Sequence, residues 1–505
     1  MTAMREGLLG GFNASDDVTT SVDLFPLGVF GENIVSKRQQ AVNIENKYKI
    51  DPANIDELET YAATGGSVGT GSSNMFQCQT GTSVGGYGVI RSKEAAIYHA
   101  GYGVECLVTS TFTAGIASSI QFAGLFSLTE TVAVGYDGAS FSCLHSYAGA
   151  AEIQTIEVTT VAGGAETATV TLDGDEVAIA ITASDTDTNA RELTNGLVGD
   201  GTLSGKWRFE QVASKVYCIA KAVGDKTGTM SFSTTGSAVA TITQDRVGVA
   251  KTDNHVPQAD WNITSTPFND FDPIKLNLYR ITFGYLGAGN ITYGIYNPNT
   301  GRFVQVHRIK WASEYSTPNL GHPDLKVGWT AASLGSSGTN LTVSGGSGGI
   351  FFEGSTPLHG NTHATNNTKE SITTTDTNLL TIRNRVVFGD HFNRGDIVIL
   401  HISVSNEHNK AIIISIIKNA IVAGTLNFNY IDEFNSIALV DTGGTTISNG
   451  TVIDSFTIGA NESITVDLIS SRILLFPEEE FSIVARTVLG TSTSISTTVT
   501  WRDNY

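Results

Sequence analysis

The side chains in this sequence with the most chemical potential are acids that sit close together. Asp270 and Asp272 in "FNDFDP", and Asp432 with Glu433, are the kind of pair a glycan depolymerase needs. That chemistry uses two carboxyl groups held about 5 to 9 Å apart. Both pairs lie in loop-like sequence, where neighbouring acids are expected as solvated turn residues. "FPEEEF" brings Glu478, Glu479 and Glu480 together as a charged turn, with a calcium site as the alternative. His359 and His363 in "HGNTH" have i, i+4 spacing, which presents two metal ligands together only on a helix. The Gly and Asn between them oppose a helix. His307 stands in a strand-like run near Trp311 and reads as a sheet residue. There is no G-x-S-x-G elbow and no P-loop, and "GTGSSN" lacks the Lys a phosphate cradle requires. Cys78, Cys106, Cys143 and Cys218 show no C-x-x-C or metal-ligand spacing. Small buried hydrophobes are expected, with a disulfide between two of them as the alternative. No enzyme, no cofactor and no metal is predicted.

The aromatic residues suggest contact rather than catalysis. Tyr279, Tyr285, Tyr293, Tyr296, Trp311 and Tyr315 crowd "LYRITFGYLGAGNITYGIYNPNTGRFVQVHRIKW" and the residues just after it. Half of such a set is expected in the core, because aromatic rings carry a large apolar area. Tyr285, Tyr293, Tyr296, Trp311 and Tyr315 are the candidate interface or glycan-contact residues. A subunit interface is the first reading and a glycan platform the second.

Composition bounds the elements that must position these groups. The chain has 505 residues, enough for two to four domains. Charged residues make up 16% against about 25% in ordinary globular proteins, and 54 glycines against 10 prolines point to many Gly-made turns. All-β is the natural class. A net charge of −19 opposes a nucleic-acid partner, whose phosphates need Lys and Arg. The N-terminal residues lack the apolar core of a signal peptide. The run "AIIISIIKNAIVAG" is interrupted by Lys418 and falls short of the roughly 20 residues of a membrane span. Synthesis in a cytosol without a membrane anchor is expected. The Asn-x-Ser/Thr triplets at Asn262 and Asn340 carry little weight in a chain so rich in Ser and Thr.

Along the chain, residues 1–60 read as an N-terminal arm, with one short helix at "PANIDELETYAA". Residues 61–150 and 249–354 read as a jelly-roll-like β-sandwich. Within it, "GAGN" and "NPNTG" are turn signals separating the three strands of a meander. Residues 151–248 read as an inserted ββαβββ module, a small α+β unit. Its signals are a hairpin at "LDGDEV" and a helix over "DTDTNARELTNGLVG". Asp185 or Asp187 caps that helix, Ala190, Leu193 and Leu197 share a face, and Gly199 ends it. Residues 355–378 have almost no apolar content and read as a linker. Residues 379–505 read as a C-terminal β-sandwich, with "STTVTW" an edge-like final strand.

These segments resemble a class of β-rich virion structural proteins of tailed phages and large DNA viruses. The N-terminal tract of that class, roughly D-x-F-G-R-L-R-V-S, is met here by "LGVFGENIVSKRQQ". It keeps Phe30, Gly31 and Ser36 and places Glu32 and Asn33 where the basic pair begins. "LYRITFGYLGAGNITYGIY" with "RFVQVHRI" is similar to its paired sandwich strands. "LLTIRNRVVFGDHFNRGDI", "IIKNAIVAGTLNF", "VDTGGTTISNGTVI" and the terminal "WRDNY" follow its order. The resemblance implies a virion protein made in a host cytoplasm. It would be a homo-oligomeric element of capsid or tail surface, a trimer for preference, touching other virion proteins. A tail fibre or receptor-binding protein that attaches to host surface polysaccharide is the alternative. No nucleic-acid or membrane partner is implied.

Overall fold

The computed structural model describes residues 38–505 apart from 72, 227, 229, 285, 336, 337, 354–359, 492 and 493. The expected arm over 1–37 with most of the "LGVFGENIVSKRQQ" tract, Tyr285 and His359 lie outside the described residues. The rest is mainly β, and the strands pair antiparallel throughout.

The first sandwich packs a nine-stranded sheet on a seven-stranded one. Gly103–Phe112 is the hub of the first sheet, pairing with Asn277–Gly284 and with Ser347–Glu353. Its alternation sends Val104, Cys106 and Val108 into the shared core with Tyr279, Ile281, Ile90 and Trp329. In the second sheet, Gly328 pairs with Gly124 on one side and with Arg91 on the other. A Cβ on Gly328 would lie 2.1 Å from the Ile90 carbonyl oxygen, so only glycine fits. The meander forms as expected: Asn277–Gly284, Ile291–Asn297 and Arg302–Ile309 pair in sequence order.

Residues 38–63 correct the expectation for the N-terminal part. Arg38–Glu45 pairs with Ser347–Glu353, so it is a sandwich strand rather than an arm. "PANIDELETYAA" makes one 3-10 turn, Pro52–Asn54, then the strand Leu58–Ala63 against Tyr87–Ser92. Sheet pairing and burial of Leu58 override the local helical pattern.

The module between the halves of this sandwich has seven strands and two helices, more than the expected ββαβββ. Ala151–Thr160 and Val239–Arg246 enter and leave it side by side. The hairpin turn falls on Asp173 and Gly174, at φ 53° and 78°, the left-handed region a two-residue turn of this kind demands. In Thr186–Gly199 the cap is Asp185, which accepts from the Thr188 N–H at 2.7 Å. Ala190, Leu193 and Leu197 are fully buried against the module's two small sheets.

The second sandwich packs a five-stranded sheet on a six-stranded one around Trp501, Ile402, Ile414, Ile483 and Leu380. Here the expected linker is overturned. Thr362–Glu370 forms a strand along Ser494–Asn504, which makes the supposed edge strand an interior one. Polarity alone does not distinguish a linker or an edge strand from a paired one. Along Ser494–Asn504, Ser496, Thr498 and Thr500 face outward while Ile495, Thr497, Val499, Trp501 and Asp503 are buried. The new outer strand turns Lys369 and Asn367 inward. Lys369 Nζ donates to the Asn378 carbonyl at 2.8 Å and to that of Gly444, and Asn367 Nδ2 donates to Leu379 at 2.6 Å.

Candidate functional site

The aromatic residues singled out in the meander divide into core and surface. Tyr293 is fully buried, with its hydroxyl donating to the Leu144 carbonyl at 2.9 Å, so it is corrected from contact residue to core residue. Trp311 is corrected likewise. Its ring is buried, its indole N–H donates to Thr317, and it stands edge-on to Tyr147 at 4.9 Å. A ring beneath a sheet end releases the most apolar area by being covered, and each polar tip has found a backbone partner. Tyr296 is half-buried beside Phe303. Tyr315 remains a surface residue, 48% exposed, and stacks on Trp311 at 4.0 Å between centroids and 17° between planes. Among the described residues of the set, Tyr315 presents the most exposed ring, backed by Trp311.

The acids resolve into structural roles. Asp272 accepts from the Ile274 N–H at 3.0 Å. The Asn435 side-chain amide, followed by the N–H groups of Phe434 and Asn435, donates to Asp432 and holds its carboxyl below the ordinary range. Glu433 pairs with Lys215 at 2.9 Å. His363 bonds to the Asn435 carbonyl, and His307 accepts from the Asn262 N–H through Nδ1. All four cysteines are buried and free, and burial pushes the thiols of Cys78, Cys106, Cys143 and Cys218 up. Among the described residues no group of three or more His, Cys, Asp or Glu converges on a metal position.

The three glutamates of "FPEEEF" carry more than the sequence indicated. Glu478 meets Arg208 of the module at 3.1 Å, and Glu480 takes the Arg383 Nε at 2.8 Å. Glu479, buried, lies 2.9 Å from Lys93 and 2.8 Å from Lys418. Asp56 lies 3.3 Å and 3.2 Å from the same two lysines. Asp56 and Lys93 belong to the first sandwich and Lys418 and Glu479 to the second, so four alternating charges close a ring across the seam. Beside it, Arg472 reaches Glu94 at 2.8 Å, and burial pushes the Glu94 carboxyl up to about 7. Asp56, Lys93, Glu94, Lys418 and Arg472 line a cleft of 710 Å³ together with Val42, Ile44 and Ile453.

A second fastener is Arg394, whose guanidinium is taken into the first sandwich. It donates to the carbonyls of His322 and Asp324, both at 2.9 Å. It also reaches Ser127, Thr129 and Glu130 at 3.1, 2.9 and 3.3 Å. The module holds the second sandwich differently. Both oxygens of buried Glu210 accept from the Val386 N–H at 3.0 Å, and the Tyr217 and Tyr430 hydroxyls meet at 2.7 Å. Around them Ile153 and Ile219 pack on Val386 and Val387, and Val212 packs on Phe428 and Leu439. Sequence reasoning missed these fasteners. The available signal was a lone cation in apolar surroundings, as Lys418 is within "IIISIIKNAIV".

No protein-family model matches the chain, and no curated protein matches it. Solved structures with some likeness include arcelin-5, a lectin-like defence protein from Phaseolus vulgaris. It is 10% identical over 62% of this chain and 96% of its own, with a TM-score of 0.23. Lectin I from Ulex europaeus, in complex with the methyl glycoside of α-L-fucose, is 9% identical over 62% and 96%, with a TM-score of 0.23. Peanut lectin with a nine-residue peptide is 11% identical over 63% and 98%, again at 0.23. At these scores the likeness carries no argument about ligand or function.

Proposed function

We propose that this chain is a structural element of a virus particle, on the capsid or tail surface, that works by associating with copies of itself and with other particle proteins. The observation that carries this reading is how the buried charges are used. Glu479, Arg394 and Glu210 are each spent on locking one β body to another. The strand edges and the Ser/Thr-rich outer sheet faces are suited to contact. The resemblance of the C-terminal segments to virion proteins points the same way. Gold-labelled antibody against residues 379–505 on intact particles, with a mass-spectrometric census of purified particles, tests it. Gold on head or tail is the expected result, and particles without peptides of this chain overturn it.

The second reading, attachment to host surface polysaccharide, rests on the exposed Tyr315 face stacked on Trp311. Tyr315→Ala removes that face and leaves Trp311 bonded to Thr317. Glycan-array binding lost in the variant, at unchanged melting temperature, is the outcome this reading requires. Equal binding by both proteins removes Tyr315 from the account.

A further inference from the structure

We propose that Lys369 and Asn378 join through a side-chain amide bond, an intramolecular cross-link between the two sheets of the second sandwich, with Asp441 as the proton acceptor. The cross-link goes beyond the particle reading and does not depend on it.

Three strands bring the groups together. Lys369 is on Thr362–Glu370 of the five-stranded sheet, and Asn378 is on Thr377–Asn384 of the six-stranded one. Asp441 ends the neighbouring strand Ala438–Asp441, where register sets it opposite Thr381. All three side chains converge on Gly444. Its carbonyl accepts from Lys369 Nζ, and its N–H donates to Asp441 Oδ1 at 2.9 Å. A Cβ on Gly444 would lie 2.5 Å from Asn378 Nδ2 and 3.3 Å from Asn378 Cγ, so the glycine backbone runs directly over the amide. Lys369 Nζ also touches Asn378 itself, 2.8 Å from its main-chain carbonyl oxygen. Cγ belongs to the same residue, so the flexible lysine stem has little to travel to reach the roughly 3–3.5 Å of an attacking pair.

The surroundings favour exchange of the amide nitrogen. Asn378 and Asp441 are 0% and 1% exposed. Asn378 Oδ1 accepts from the Thr381 hydroxyl at 3.2 Å, which draws electrons from Cγ. Nδ2 has no acceptor among the described residues. A buried NH2 without an acceptor is costly to keep and gives up no hydrogen bond by leaving. Desolvation lowers the pKa of half-buried Lys369, against the charge of Asp441. A desolvated lysine amine is an activated nucleophile.

The exchange balances without an oxidant or a co-reactant. Asp441 takes one proton from the Lys369 ammonium. The freed Nζ pair attacks Asn378 Cγ, the Nζ–Cγ bond forms, and the carbonyl π pair moves to Oδ1. When that pair returns, the Cγ–Nδ2 bond breaks and its electrons leave with Nδ2. A second proton passes from Nζ to Nδ2, which departs as ammonia, and Asp441 releases its proton to solvent. The third proton stays on the new amide and still serves one carbonyl. The bond fastens an edge strand whose only apolar side chain is Ala364.

Mass spectrometry of the full chain tests this. The expected mass is one ammonia below that calculated for the chain. Trypsin should fail to cut after Lys369, so that residues 327–383 emerge as a single peptide, lighter by one ammonia. Lys369→Arg keeps a cation for the two carbonyls and cannot make the bond. Asp441→Asn keeps an acceptor for the Gly444 N–H and cannot take the proton. Both variants should retain the ammonia. Wild-type protein at full mass after prolonged incubation in the folded state overturns the proposal. Ammonia lost from wild type and Lys369→Arg alike also overturns it, because an asparagine closing on its own backbone is then the source. Asp441→Asn protein that cross-links as fully as wild type overturns the role of Asp441. Should Lys369→Arg fail to fold, the wild-type peptide still decides, since a bond to Lys369 both blocks trypsin there and removes ammonia.

Discussion

Glu210 shows what burial does to a single charge in this molecule. Its carboxyl is pushed up to about 7, first by desolvation, against the opposing pull of Arg383 and of the N–H bonds it accepts. A carboxyl raised in the folded state binds its proton more tightly there than in the unfolded chain. The stability it contributes is therefore complete below its ordinary value near 4.5 and is lost as pH rises through about 7. Glu210→Gln keeps an acceptor for the Val386 N–H and removes the charge. The melting temperature of the variant should match wild type near about pH 5 and exceed it by an amount equivalent to roughly 2–3 kcal/mol at about pH 8. Circular-dichroism melts across that range check this, and a constant difference would contradict it. Glu94, raised to about 7 across the seam, and Asp324, raised to about 6 beside Arg394, add slopes of the same sign. His322 opposes them. Burial and the Arg394 charge hold it to about 3, so its contribution is lost as pH falls below the ordinary histidine value.

At the scale of elements, the local signals that carried a backbone requirement were the dependable ones. Asp185 caps its helix, Asp173–Gly174 turns its hairpin, and Leu193 and Leu197 face inward, all as side-chain chemistry and period imply. Asp185→Ala should cost about 1 kcal/mol through the lost bond to the Thr188 N–H, seen as a lower denaturant midpoint at unchanged slope. Polarity was the weaker guide. "THATNNTKE" has almost no apolar residue and still makes a nine-residue strand. One of its faces meets solvent, and the other spends Asn367 and Lys369 on backbone carbonyls at the sandwich rim. An edge strand of this kind has no apolar alternation to read, and inward-turned charge also guards it against stray pairing.

For the whole molecule, the contrast between its two internal contacts sets the mechanics. Module and second sandwich share apolar clusters, whereas the two sandwiches meet at the ring of Asp56, Lys93, Lys418 and Glu479, with Arg472 and Arg394 alongside. Charges at a partly wet seam are screened by salt, and apolar contacts are not. Lys93→Glu with Lys418→Glu should therefore enlarge the radius of gyration in small-angle scattering, because four acids then face one another. Adding Glu479→Lys should reverse part of the change. Amide exchange at Val386 should stay slow throughout, since Glu210 and its apolar surround hold that contact. An unchanged radius in the double variant would mean that Arg394 and the module alone fix the arrangement.

Composition and residue patterning determined the β class, the meander, the hairpin and the helix with its cap. Each of these depends on neighbours in the chain: a turn needs its glycine, a helix face its three- and four-residue spacing. Which aromatic rings stay outside, which strand lies at the edge, and which cation meets "FPEEEF" were decided only by tertiary structure. Tyr293 and Tyr315 look alike in sequence, and their fates differ because one lies under a sheet and the other beyond its end. Lys93 and Glu479 are 386 positions apart, and no local pattern encodes a pairing that exists only once two sandwiches have folded and met.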